Sequence, residues 1–237
     1  MGAGPVRPSP RLGSDRGRAH RATGVSDHTP PARASLTGPA PEIAPRLLGS
    51  ILTSDLGSRV SVRITEVEAY AGIGQDPGSH AHRRRTPRNA AMFGPVGHAY
   101  VYFTYGMHWC LNVVVHPRGE AGAVLIRAGE VVTGKATART RRPSARTDRD
   151  LARGPARLAA ALGVTGDLDR VDLLDPKSPL RLSVGPITQD VSAVSAGPRT
   201  GLAGDGAPTP WRFWLVGDPT VSPHRPVRPP GRGAGRH

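Results

Sequence analysis

Two acidic side chains two residues apart, Glu66 and Glu68, stand in a stretch that alternates like a β-strand, Arg59 to Tyr70. On a strand, residues i and i+2 share a face, so both carboxylates and Tyr70 point the same way. Paired carboxylates are the equipment of glycoside hydrolysis, and along a strand this pair lies about 7 Å apart, within the range for inverting chemistry. A face of alternating glutamates is equally what a solvated strand presents. All four tyrosines, Tyr70, Tyr100, Tyr102 and Tyr105, fall within 36 residues of a chain that is 4% aromatic. Such a cluster either fills a sheet core, the reading adopted for Tyr100, or offers a platform on which a nucleobase stacks. The run Arg83, Arg84, Arg85, Thr86, Pro87, Arg88, Asn89 sets positive charge beside the tyrosines, as a phosphate contact would and as a solvated surface also could. Five histidines between His80 and His116 suggest a metal. No helical pair or cysteine set completes a tetrahedron, so no metal site is expected.

These groups need a frame. Val60, Val62 and Ile64 share one face of the first half of the strand, after which Thr65, Val67 and Ala69 oppose Glu66, Glu68 and Tyr70. His98 to Thr104 and Trp109 to His116 are rich in β-branched and aromatic residues and flank Tyr105-Gly106-Met107-His108, a hairpin in which the glycine supplies the turn. Ala123 to Ala128, Leu180 to Val184 and Trp211 to Val216 read as further strands, and Glu42 to Leu48 as a short helix leading into another at Ile51 and Leu52. Gly154-Pro155 opens an alanine-rich helix, Ala156 to Leu162, that Gly163 stops. Gly134 to Arg153 is polar, arginine-rich and without a clear period. The fold class is α+β: a single domain with a mainly antiparallel sheet and a few peripheral helices.

Composition narrows the partners. The chain has 237 residues and a formal net charge of +14, with 25 prolines and 30 glycines. Residues 1–40 and 223–237 lack apolar periodicity, are arginine-rich and carry +4 each, which reads as two disordered basic tails around a domain at 41–222. The domain keeps the remaining +6, so nucleic acid leads as partner, with membranes and unspecific association behind it. The single cysteine, Cys110, excludes an internal disulfide and a multi-thiolate zinc site. No apolar run approaches the roughly 20 residues of a membrane span, and the prolines of the N-terminal stretch oppose an amphipathic transit peptide, so a cytoplasmic protein without a membrane partner is expected.

Taken in order, the motifs resemble one family, the alkyladenine or 3-methyladenine DNA glycosylases. Thr65-Glu66-Val67-Glu68-Ala69-Tyr70 is similar to its E-x-E-A-Y strand and Asp76-Pro77-Gly78-Ser79-His80 to its D-P-x-S-H loop. Arg85 to Asn89, Met92-Phe93-Gly94, Tyr100 to Met107, Cys110-Leu111-Asn112, Leu125 to Ala128, Gly154 to Leu158, Pro198 to Gly201 and Trp211 to Trp214 follow in family order, covering about Pro41 to Ser222. Several motifs in the right order are far more specific than one.

The resemblance implies a curved sheet with a DNA-inserting hairpin, and an enzyme that flips a damaged purine out of double-stranded DNA and hydrolyses its bond to deoxyribose. It makes Glu68 the general base, with Arg127 and the backbone carbonyl of Thr200 holding the attacking water. Tyr70, His80 and Tyr102 would form the base pocket and Asn112 its gate against guanine. Tyr105 would fill the vacated space, helped by Met107 and His108, while Arg85, Thr86, Arg88 and Arg157 would grip phosphates. No cofactor is implied, and a monomer is expected. Departures from the family pattern are one extra residue between Tyr70 and His80, His82 in place of an aromatic, His108 where a tyrosine is common, and Thr200 in place of an aliphatic residue. They bear on substrate range more than on reaction type. Lys135 and Lys177 are the only lysines and stand outside every pocket motif, so a Schiff-base lyase step is not expected. The alternatives are a non-catalytic nucleic-acid-binding module, which needs no Glu68 with Arg127, and a sugar glycosidase using both glutamates.

Overall fold

The computed structural model describes residues 1–2, 29–183 and 193–224. Most of the two expected tails lies outside those residues. Among the described residues eight strands form one antiparallel sheet: β1 (Ile51–Ser54), β2 (Val60–Ala71), β3 (Ala99–Thr104), β4 (His108–Val114), β5 (Gly122–Thr133), β6 (Leu180–Ser183), β7 (Val194–Gly197) and β8 (Arg212–Leu215). The spatial order is β3-β4-β5-β2-β1-β6, with β8 on β2 and β7 on β8. The sheet curls because β2 changes partner along one edge: Val60 to Arg63 pair with β1, and Glu66 to Glu68 pair with β8.

The core-facing side of β2 changes phase midway, and the change has a physical cause. Thr65 has no partner in the β2–β5 ladder, between Ile64 opposite Gly129 and Glu66 opposite Ala128. Such a bulge shifts the two-residue period by one. Val60, Val62 and Ile64 before it and Val67 and Ala69 after it therefore all enter one core, together with Leu111, Val124, Ile126, Leu158 and Leu162. Glu66, Glu68 and Tyr70 are left on the other face. There a smaller cluster packs Tyr100, Val114, Ala123 and Met92 against Tyr70 and Tyr102.

Among the described residues three short helices flank the sheet: α1 (Ala40–Ile43), α2 (Lys135–Arg141) and α3 (Pro155–Leu162). Pro155 at the first turn and Gly163 in the left-handed region bound α3 as its sequence predicts. Pro45 lacks an amide proton, so the expected helix over Glu42 to Leu48 divides into α1 and a 3₁₀ turn, Ala44–Leu47.

The structure corrects several boundaries. The fold begins before residue 41: Arg33–Leu36 form a 3₁₀ turn, Leu36 is buried, and Arg33 pairs with Asp172 at 2.6 Å. A four-residue turn with one buried side chain leaves no period to detect. The polar stretch after Gly134 contains α2, which buries only Ala138 and so shows no apolar stripe. β7, with the sequence VSAG, was not expected, and Val184, expected in a late strand, lies outside the described residues. Among the described residues no helix is long and apolar enough to cross a membrane.

Candidate active site

On the face of the sheet opposite the main core, β2, β3, β4 and β5 floor a cavity of about 360 Å³. The loop carrying His80, the loop carrying Thr200 and the start of α3 close its sides. Glu68, Tyr70, His80, Tyr102, Tyr105, His108, Asn112, Arg127 and Thr200 all line it. Met107, Arg85, Thr86, Arg88 and Arg157 are not among its lining residues.

The floor is built on a second bulge. Arg127 has no register partner between Ile126, opposite Val67, and Ala128, opposite Glu66. Its guanidinium reaches both carboxylates of β2: Nε donates to Glu66 Oε1 at 3.0 Å and Nη1 to Glu68 Oε2 at 3.2 Å. Both glutamates are fully buried, but their surroundings differ. Glu66 also accepts from Arg212 Nε at 2.6 Å, the Ser222 amide at 2.7 Å and the Ser222 hydroxyl at 2.9 Å, and it does not line the cavity. Glu68 accepts from the Tyr70 hydroxyl at 2.8 Å and from the Thr200 amide at 2.6 Å, and it does line the cavity. Thr200 thus engages the carboxylate through its N–H, a contact beyond the carbonyl role its position suggests. Arg127, flanked by two carboxylates, is held as a cation: their fields raise its pKa against the burial that opposes charge.

The walls are aromatic. His80 Nδ1 lies 2.9 Å from the Tyr100 hydroxyl, and its ring meets that of Tyr102 edge to face at 4.8 Å. Partial enclosure, together with the nearby Arg88 charge, pushes the His80 pKa down, which favours the neutral ring. Burial pushes the Tyr70 phenol well above its ordinary range, which keeps it a proton donor to Glu68. Asn112, buried on β4, spends one amide proton on the Tyr100 carbonyl at 3.0 Å. That bond fixes its side chain against the cavity.

The rim carries the exposed groups. The β3–β4 hairpin closes through a Met107 N–H to Thr104 carbonyl bond of 3.2 Å, with both central residues in the left-handed region, Tyr105 at φ 51° and Gly106 at φ 65°. The β-turn Thr104–Met107, inside a three-residue hairpin loop, holds both of its central residues left-handed, so Tyr105 shares the role expected of the glycine alone. Tyr105 is 82% exposed and Met107 67%. A non-glycine residue held this way at the tip is a local cost of about 1 kcal/mol that aims its ring outward. Arg88 donates to the Phe103 carbonyl and lies over Tyr102, Arg85 lies over Phe93, and Arg157 is exposed on α3. Thr86 donates its amide to Asn89, whose side chain bonds the carbonyls of His80 and Arg84, so Asn89 ties the arginine loop to the pocket. Among the described residues no group of three His, Cys, Asp or Glu side chains is arranged to hold a metal ion.

Spacing alone gives no role to four residues that hold this site. Arg212 and Ser222 enclose Glu66, and Arg199 and Asp76 form a fully buried ion pair behind Tyr70. Arg199, Asp76 and Arg212 stand inside family-like segments, the one signal that could have marked them. Their partners are too distant in the chain for a spacing rule to link.

An enzyme that works on a base inside a duplex must take the base out of the stack, hold it between rings, and leave the backbone outside on positive charge. The structure has a ring-walled cavity, an exposed hairpin tip beside it and arginines around its rim. Comparison with known proteins makes the class specific. Residues 34–219 match the family model described as methylpurine-DNA glycosylase (MPG), and the chain belongs to that family. It is 53% identical over 206 residues to a protein of Streptomyces avermitilis, covering 86% of this chain and 95% of the relative. Proteins of Leifsonia xyli subsp. xyli, 52% identical over 203 residues with 82% and 92% covered, and of Nocardia farcinica, 50% identical over 190 residues with 78% and 87% covered, are similar too. All three bear the name "Putative 3-methyladenine DNA glycosylase".

Proposed function

We propose that this DNA glycosylase excises alkylated or deaminated purines, namely 3-methyladenine, 7-methylguanine, ethenoadenine and hypoxanthine, from double-stranded DNA and leaves an abasic site. The observation that carries the reading is the contrast on β2: of two buried glutamates held by one arginine, only Glu68 faces the cavity. It takes a proton from water attacking the sugar carbon, while Arg127 and the Thr200 carbonyl hold that water. The Thr200 amide and the Tyr70 hydroxyl aim the carboxylate. Tyr70, His80 and Tyr102 receive the flipped base, and Asn112 excludes the amine of ordinary guanine. Tyr105 occupies the vacated space with Met107 and His108 beside it. Arg85, Thr86, Arg88 and Arg157 hold phosphates without reading sequence.

Alkylation at a ring nitrogen makes the base cationic and a good leaving group, and electron-rich rings favour that cation. A neutral base such as hypoxanthine relies more on Glu68. The enzyme is monofunctional on this account, since neither lysine lines the cavity. It acts as a monomer in the cytoplasm and needs no cofactor. The sugar-glycosidase reading loses its support because Glu66 does not line the cavity.

The test is incubation with duplexes carrying each of the four lesions, followed by alkali. Strand breaks at the lesion after alkali, and none before it, are expected. No cleavage on any of the four duplexes would overturn the proposal, and a borohydride-trapped adduct at Lys135 or Lys177 would overturn its monofunctional part.

A further inference from the structure

We propose that Arg199 and Asp76 form a positioning pair for excision, pinning the two pocket loops so that the Thr200 amide and the Tyr70 ring are set on Glu68. The proposal rests on Glu68 being the base.

Among the described residues Arg199 is one of the largest fully buried side chains, at 1% exposure. Its Nη1 donates to Asp76 at 2.6 Å and to the Ala69 carbonyl at 2.9 Å; its Nη2 donates to Asp76 at 2.7 Å and to the Gly206 carbonyl at 3.1 Å. Asp76 in turn accepts from the amides of Ala71 and Gly78 at 3.2 and 3.0 Å. One ion pair thus joins the end of β2, the loop leading to His80 and the loop carrying Thr200. The guanidinium lies 4.7 Å from the Tyr70 ring centroid and 5.4 Å from that of Trp211. It therefore backs the ring whose hydroxyl bonds Glu68, while the next residue in the chain, Thr200, points its N–H at the other oxygen of the same carboxylate.

The two loops touch too closely to tolerate slack. A Cβ at Gly78 would sit 2.4 Å from Leu202 and 2.8 Å from Arg199, and one at Gly206 would sit 2.7 Å from the Gly78 nitrogen. A buried ion pair is weak as a source of stability, because apolar side chains of the same volume often serve as well. Apolar side chains could not satisfy the Ala69 and Gly206 carbonyls and the Ala71 and Gly78 amides together. What the pair provides is geometry, to which excision is sensitive: a misplacement of about 1 Å can cost on the order of 100-fold in rate.

The experiment uses the full chain, with Asp76→Asn and Arg199→Lys as variants. In the ¹⁵N-labelled parent, the Thr200 amide proton should resonate well downfield of ordinary loop amides, as a short bond to a carboxylate requires. A parent resonance at an ordinary position would refute the geometry without any variant. In Asp76→Asn the Thr200 resonance should move upfield, and single-turnover excision at saturating enzyme should fall by about 10- to 100-fold. Affinity for undamaged duplex should stay at the parent value. Arg199→Lys, which keeps the charge and loses the fork, should fall between. Parent-level excision in a folded Asp76→Asn, or a loss fully explained by its unfolded fraction, would overturn the proposal. Glu68→Gln, run alongside, separates the two ideas: if it excises normally, the base assignment fails, while the Thr200 resonance still reports on the pin.

Discussion

Arg127 divides the site into two halves that begin alike and end differently. On one side Glu66 takes four hydrogen bonds, from Arg127, Arg212 and Ser222, and meets no open space. On the other, Glu68 takes three, from Arg127, Tyr70 and Thr200, and borders the cavity. The residue type, strand, face and cation are shared. On the proposed reading, what separates an anchor from a base is whether the carboxylate borders the cavity or is enclosed by protein on every side. The C-terminal segment does the closing: Thr65, displaced at the bulge, bonds Thr220, and Ser222 follows onto Glu66.

The largest effect that would sharpen this contrast is at Glu68. Glu68→Gln keeps shape and most hydrogen bonding but cannot accept a proton, so single-turnover excision should fall by roughly 100-fold or more while lesion DNA still binds. Glu66→Gln should break the other half: thermal unfolding should show a loss of about 2 kcal/mol, from two arginines deprived of a buried charge, with a much smaller change in excision. A Glu66→Gln protein that melts like the parent yet is dead would reverse the assignment.

A smaller effect is expected at the rim. Tyr105→Ala should lose about 1 to 3 kcal/mol of lesion-specific affinity, measured by titration of fluorescent duplex, the range for lost base stacking. Unchanged affinity would remove the wedge role. Smallest of all is the N-terminal tail. Because Leu36 is buried in the core and Arg33 pairs with Asp172, the deletion to test ends at residue 28. It should weaken binding to undamaged DNA at low salt and flatten the salt dependence, leaving saturated excision unchanged.

Much of this was legible in the sequence because it was local. The alternation of β2 announces the strand, though not the bulge within it, the aromatic runs around Tyr105-Gly106 announce the hairpin, and Pro155 and Gly163 bracket α3. Nine of the residues named from sequence line one cavity. Illegible were the pairings between distant segments, such as Arg199 with Asp76 and Ser222 with Glu66, since nothing in either segment encodes its partner. For that reason a strand face carrying two glutamates reads as two equivalent acids until the C-terminal segment is seen to cover one of them. Short elements that bury a single side chain, α2 and the turn at Arg33–Leu36, were hidden for want of a period.

Whether Glu68 is the proton acceptor is decided by single-turnover excision on a hypoxanthine duplex at saturating enzyme, measured for the parent, Glu68→Gln and Glu66→Gln side by side. Glu68→Gln should be slower by roughly 100-fold or more while lesion DNA still binds, and folded Glu66→Gln should stay near the parent rate. A Glu68→Gln protein that excises at the parent rate, or a folded Glu66→Gln protein that is inactive, would contradict Glu68 as the proton acceptor.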